Sequence, residues 1–251
     1  KGITKISSGV FRDWEKLESV KFAGDIESIG CGAFESCISL KSIDLPDSIT
    51  TIAELAFYNC DSFKSVTVPK NVKKLSTMAF AGCDSLEEVV LSEGIEFMDY
   101  RAFSDCLSLK KINIPDSVKT IGEGAFSCCS KIESIYIPDG VKSIEMYTFN
   151  SCGNLKEIRI PDSVQNIGAG AFQTCRSLEE IHIPYGVTTI YTDTFRGCTN
   201  LKTITLPDTV TDVPPAGSAF DENTVIIYKG KAYRMSNYKE MSQFERTVWG
   251  L

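Results

Sequence analysis

The sequence predicts a solenoid, a stack of 23-residue coils with a parallel sheet on one face, short second strands and short helical turns. Three observations predict it. Cysteine recurs every 23 residues, at Cys37, Cys60, Cys83, Cys106, Cys129, Cys152, Cys175 and Cys198. Phenylalanine keeps the same beat at Phe34, Phe57, Phe80, Phe103, Phe126, Phe149, Phe172 and Phe195. Proline does so at Pro46, Pro69, Pro115, Pro138, Pro161, Pro184 and Pro207. A domain with one private core has no use for such a fixed interval, whereas coils that bury their apolar residues against neighbouring coils require it.

With Leu17 as position 1, the consensus is L-x-x-I-x-I-P-D-S-V-x-x-I-G-x-x-A-F-x-x-C-x-x, as in LKKINIPDSVKTIGEGAFSCCSK over residues 109–131. Positions 4 and 6 are apolar between polar neighbours, the period of a strand with one buried face. Proline at position 7 has no amide to give a ladder, so the strand stops there. Asp-Ser or Asp-Gly follows as a turn, for example Asp116-Ser117 and Asp139-Gly140. Apolar positions 10 and 13, Val118 and Ile121 in this copy, space a second short strand, and glycine at 14 (Gly30, Gly122, Gly168) breaks it. Apolar residues at 17, 18 and 21 then predict about one to two turns of helix. Stacked, the phenylalanines should form a continuous buried spine.

Nine copies run from Leu17, preceded by a partial copy over residues 1–16, so the array is expected to span 1–220 and the chain to be part of something longer. The ninth copy departs from the rule: Pro214 and Pro215 enter, phenylalanine slips to Phe220, and cysteine is lost. Residues 221–251 are expected to form a C-terminal cap. It should comprise a strand over Val225-Ile226-Ile227-Tyr228, a turn at Lys229-Gly230-Lys231, and a helix from Ser236 or Asn237 to Val248 with Met241, Phe244 and Val248 on one face. Covering the open end of the stack is what such a terminal unit supplies.

A net charge of −7 argues against a nucleic-acid partner, which calls for a basic face. No apolar run approaches ~18 residues, so no membrane insertion is expected. Ten cysteines and one histidine lack the close C-x2-C pairs of a zinc site, and no metal is expected. Equivalent cysteines on adjacent coils would lie within bridging range, yet they point the same way into the core. The column is therefore expected to be reduced and buried, with Cys31 and Cys128 the more exposed thiols. One aspartate per coil at position 8 falls short of a calcium shell and fits turn formation instead.

His182 sits at position 5, on the outer strand face, and its equivalents on the flanking coils are Arg159 and Thr205. Neither completes a nucleophilic triad, and no phosphate-binding or metalloprotease motif is present, so no catalytic residue and no cofactor are assigned. What varies is the outward row. At position 5 the copies read Lys21, Asp44, Thr67, Val90, Asn113, Tyr136, Arg159, His182 and Thr205. Tyr136, Arg159 and His182 are consecutive, and Tyr185 joins them from position 8; tyrosine and arginine are enriched at binding hot spots. These four are the candidate binding residues, read against the plainer alternative of ordinary exposed side chains.

The motif I-x-I-P-x-S/G-V-x-x-I-G-x-x-A-F-x-x-C, repeated over residues 1–220, resembles the BspA-like leucine-rich repeats. That resemblance implies a right-handed leucine-rich-repeat solenoid, secreted or displayed on the surface of host-associated bacteria, that binds proteins or cells and has no catalytic residues. The expected function is a non-catalytic, adhesin-like interaction module, extracellular or at the cell surface, monomeric, with a protein or glycan ligand on a host or cell surface. The alternative is a structural spacer displaying another domain of a longer chain.

Overall fold

The computed structural model describes residues 2–215 and 218–250. Coils are numbered here from the partial coil 0, with coil 1 starting at Leu17 and coil 9 at Leu201. Both expected strands form in most coils, as in Lys111–Ile112 and Thr120–Ile121 of coil 5. Equivalent strands pair in parallel at the repeat interval, Ser65↔Glu88 and Ser28↔Thr51 for example. Two parallel sheets thus run along the stack. Leucine, isoleucine and valine at positions 1, 4, 6, 10 and 13 face the shared interior.

The third side of each coil differs from the expectation. In coils 0 to 8 no helix forms over positions 14–21, and these residues carry overlapping tight turns instead. In coil 5 the amides of Ala125, Ser127 and Cys129 donate to the carbonyls three residues back, at 2.9–3.1 Å. The intervening amides of Gly124, Phe126 and Cys128 donate to Met146, Thr148 and Asn150 of the next coil. A helix would spend all of these amides on its own axis. Left-handed residues prevent it: positions 16 and 20 have φ between 52° and 76° in every coil from 0 to 8. Twelve of those eighteen residues carry a side chain, Leu55, Arg101 and Tyr147 among them, although the left-handed region costs about 1–2 kcal/mol there. The cost is offset by a backbone ladder of 2.6–3.1 Å that runs along the turn face from coil 0 to coil 9 without a gap. Alanine, phenylalanine and cysteine at 17, 18 and 21 point inward from these turns, which mimics helical spacing in the sequence.

Behind the turns lies the aromatic spine. Phe11, Phe34, Phe57, Phe80, Phe103, Phe126, Phe149, Phe172, Phe195 and Phe220 stack with centroids 5.1–6.0 Å apart and planes within 14°. The two-residue slip in coil 9 is absorbed, because Phe195 and Phe220 bridge in parallel. Each column cysteine is buried and does more than fill space. Its Sγ donates to the carbonyl of the phenylalanine one coil earlier, at 3.0–3.2 Å in all eight cases. A small apolar side chain with a weak donor fits that position, and alanine or valine would leave the donor out. Cys31 and Cys128 are half-buried, outside the column.

The sheets, unlike the turn ladder, are interrupted. The first sheet falls into segments covering coils 1–2, coils 3–5, coils 6–7, and coil 9 with the last two strands. The second is continuous from coil 0 to coil 5, then restarts for coils 6–7. Position 14 accounts for the breaks in the second sheet. A Cβ on Gly122 would stand 2.6 Å from the Asp99 carbonyl carbon, and one on Gly168 would stand 2.6 Å from the Met146 nitrogen. Where glycine allows this approach, Gly30, Gly122 and Gly168 donate to the preceding coil at 2.8–2.9 Å. Where Glu145 and Tyr191 replace it, no equivalent backbone bond joins the described residues. Ser76 substitutes its hydroxyl, Oγ donating to Ile52 at 2.8 Å. Ala53 is small enough to keep the bond, and Asp99 keeps it while its carboxylate is held 2.7 Å from Lys74 of the coil before.

The C-terminal segment covers the end of the stack. Val225–Tyr228 extends the first sheet in parallel beside Thr203–Thr205, and Lys231–Arg234 returns antiparallel. Helix α1, Tyr238–Trp249, begins at Asn237, whose side chain accepts from the amides of Lys239 and Glu240, and ends at left-handed Gly250. Phe244 and Val248 are buried and Met241 half-buried. The Phe244 ring meets Phe220 edge-on at 6.5 Å, closing the spine.

Candidate binding surface on coils 6 to 9

Tyr136 and Arg159 face outward from the paired strands Ser134–Tyr136 and Glu157–Arg159, directly opposite one another. The Arg159 guanidinium lies over the Tyr136 ring, 5.3 Å from its centroid. Such a pair holds both side chains in defined positions at the surface, worth about 0.5–1 kcal/mol when exposed. His182 follows on coil 8, outside any described strand, and bridges to Thr205. Tyr185, in the turn after it, is 70% exposed.

Arg159, His182 and Tyr185 line one groove of about 1130 Å³, which crosses coils 7 to 9 and is walled by Lys229 and Gly230 of the C-terminal segment. Tyr136 stands outside it and reaches it through Arg159. So the structure brings three of the four candidates together and attaches the fourth. The sequence reading missed the groove's carboxylates, Glu157, Asp162, Glu179, Glu180 and Asp208, and its cap wall. A signal for part of this existed at position 2, where Glu133, Lys156, Glu179 and Lys202 alternate in sign. The cap wall had none, because only folding brings Lys229 beside coil 9.

The groove is lined by carboxylates together with Arg159, His182 and Tyr185. Among the described residues no three histidine, cysteine, aspartate or glutamate side chains converge in a way that would hold a metal. No described helix is long and apolar enough to cross a membrane. The buried thiols are poor nucleophiles: burial pushes them up, to about 11 at Cys37 and about 12 at Cys198.

Comparison with known proteins places this architecture. No curated protein sequence matches the chain. Among solved structures, a leucine-rich repeat protein from Bacteroides ovatus shares 26% identity over 90% of this chain and 66% of its own, with a TM-score of 0.73. This chain therefore spans just under two thirds of that protein. A leucine-rich cell surface protein from Faecalibacterium prausnitzii shares 30% identity over 91% of this chain and 77% of its own, with a TM-score of 0.56. A leucine-rich repeat protein of T. pallidum shares 29% over 70% and 72%, with a TM-score of 0.51. The family profile of the BspA type leucine rich repeat region matches residues 4–133 and again residues 98–226. With coils, spine and profile in agreement along nearly the whole array, the chain belongs to the BspA-type leucine-rich-repeat family.

Proposed function

We propose that this right-handed array, residues 1–220 closed by a cap at 221–251, is a non-catalytic protein-interaction module of a secreted or cell-surface protein. Its role is adhesin-like, engaging a host or cell-surface macromolecule by multipoint contact. The observation that carries the reading is the outward row on coils 6–8, with its preset Tyr136–Arg159 pair leading into a groove beside His182 and Tyr185. Kinship to a leucine-rich cell surface protein at 30% identity supports the location.

The test is binding to a panel of extracellular-matrix and cell-surface proteins, with the triple variant Tyr136→Ala, Arg159→Ala, His182→Ala alongside. All three side chains are exposed, so the melting temperature is expected to stay put while binding is lost. Silence across the panel would remove this reading and favour a spacer.

A further inference from the structure

Three other coil junctions on the strand face are clasped by ion pairs at position 2. Glu18–Lys41, Glu87–Lys110 and Glu133–Lys156 close to 2.7, 2.8 and 3.0 Å. The next pair in the same register is Glu179 and Lys202, and it does not form: Lys202 Nζ donates to the Thr199 carbonyl at 2.8 Å. This junction lies beside one of the interruptions of the first sheet. In the first sheet, among the described residues, coil 8 keeps the His182–Thr205 bridge on one side and on the other a long 3.5 Å contact from the Glu179 amide to the Lys156 carbonyl.

The groove over this gap has an uneven charge account. Glu157, Asp162, Glu179, Glu180 and Asp208 line it, and none has an ion-pair or hydrogen-bond partner for its carboxylate among the described residues. The cations that line it are already engaged within the chain. Arg159 lies on Tyr136, Lys202 is turned to Thr199, and Lys229 sits 5.0 Å over the Tyr228 ring. A ligand entering the groove therefore meets unpaired carboxylates and two exposed rings, Tyr185 and His182. Positive side chains on an extended backbone match that lining; an acidic ligand is repelled by it.

We propose that this groove captures a basic, extended segment of a partner protein, whose lysine or arginine side chains enter between the carboxylates of coils 7, 8 and 9. The proposal rests on the reading of this face as the binding surface and names the chemistry of its partner.

The experiment measures anisotropy of a labelled lysine–serine peptide against the whole chain at about 0.15 M salt, where exposed charges beyond ~8 Å are screened. The same peptide with acetylated lysines, a glutamate–serine peptide and a chito-oligosaccharide run in parallel. The groove variant combines Glu157→Gln, Glu179→Gln, Glu180→Gln and Asp208→Asn. The control removes equal charge from coils 1 and 2 with Asp25→Asn, Glu27→Gln, Asp44→Asn and Glu54→Gln. All eight side chains are exposed, so both variants are expected to fold. The proposal expects the lysine peptide alone to bind, the groove variant to weaken it about tenfold or more, and the control to leave it unchanged. Equal weakening by both variants reduces the effect to bulk charge and overturns it. So does no binding, tight binding of the acetylated peptide, or preference for the oligosaccharide. A panel protein whose binding needs Tyr136, Arg159 and His182 but ignores the groove variant would leave the interaction module standing and sink only its basic partner.

Discussion

The turn face and the two strand faces of this solenoid solve the same stacking problem with opposite tolerance. On the turn face the backbone ladder is unbroken from coil 0 to coil 9, although two residues per coil sit in the left-handed region. On the strand faces the backbone is relaxed, yet the sheets are interrupted at several junctions. Regular conformation is thus not what keeps the stack continuous here. The spine and the cysteine column lie directly behind the turns, whereas the strand faces tolerate side chains such as Glu145 and Tyr191 that go with a missing backbone bond. The candidate site lies where that tolerance is used most, at coil 8.

The largest expected effect attacks the turn face through its thiols. In the folded chain burial raises the pKa of the column cysteines, to about 12 at Cys198 and in the same direction from Cys60 to Cys175. An unfolded thiol titrates near 8.5, so the stability this burial protects is complete below that pH and lost as pH rises toward the folded values. One unit above 8.5 each such thiol costs on the order of 1 kcal/mol, and the seven from Cys60 to Cys198 act in the same direction, on the scale of a domain's net stability. Unfolding between about pH 9 and 10.5 is expected, with Cys152→Ala lowering the slope of stability against pH by one proton. A wild-type curve flat to about pH 10 would break the account of the column.

Smaller, and aimed at the spine, is Phe126→Ala, expected to cost about 3–5 kcal/mol by truncating a fully buried ring between two stacked neighbours. Denaturant unfolding checks it. A loss below about 1 kcal/mol would mean that the ladder alone fixes the spacing. Smallest is Gly122→Glu, whose Cβ meets backbone of the preceding coil at 2.6 Å and whose side chain is the one found where the bond is missing at coil 6. It should cost about 1–3 kcal/mol and expose the residue 122 amide, which now donates to Met98 at 2.8 Å, to hydrogen exchange. Glu145→Gly should do the reverse at the next junction. Unchanged protection in both variants would sever the link between position 14 and the sheet breaks.

Much of the fold was legible because repetition averages out local ambiguity. Strand positions, the proline stops, the spine and the C-terminal helix follow from residue types that recur in register or, for that helix, from a clear apolar face. The turn segment looks helical in the sequence for a physical reason: Ala125, Phe126 and Cys129 point inward at an interval that consecutive tight turns and a helix share. The distinguishing sign was glycine at position 16, at Gly32, Gly124 and Gly170, where φ is positive. It was diluted by coils that place leucine, arginine or tyrosine in the same conformation.

By itself, then, the sequence determined the repeat length, the family, the buried columns and the outward row from Tyr136 to His182, because periodic identity reports directly on which face each position occupies. Tertiary structure alone decided that the cysteines hydrogen-bond phenylalanine carbonyls, that Glu179 and Lys202 stay apart, and that Lys229 walls a groove over coil 8. Those features depend on how neighbouring coils meet, which no single repeat encodes.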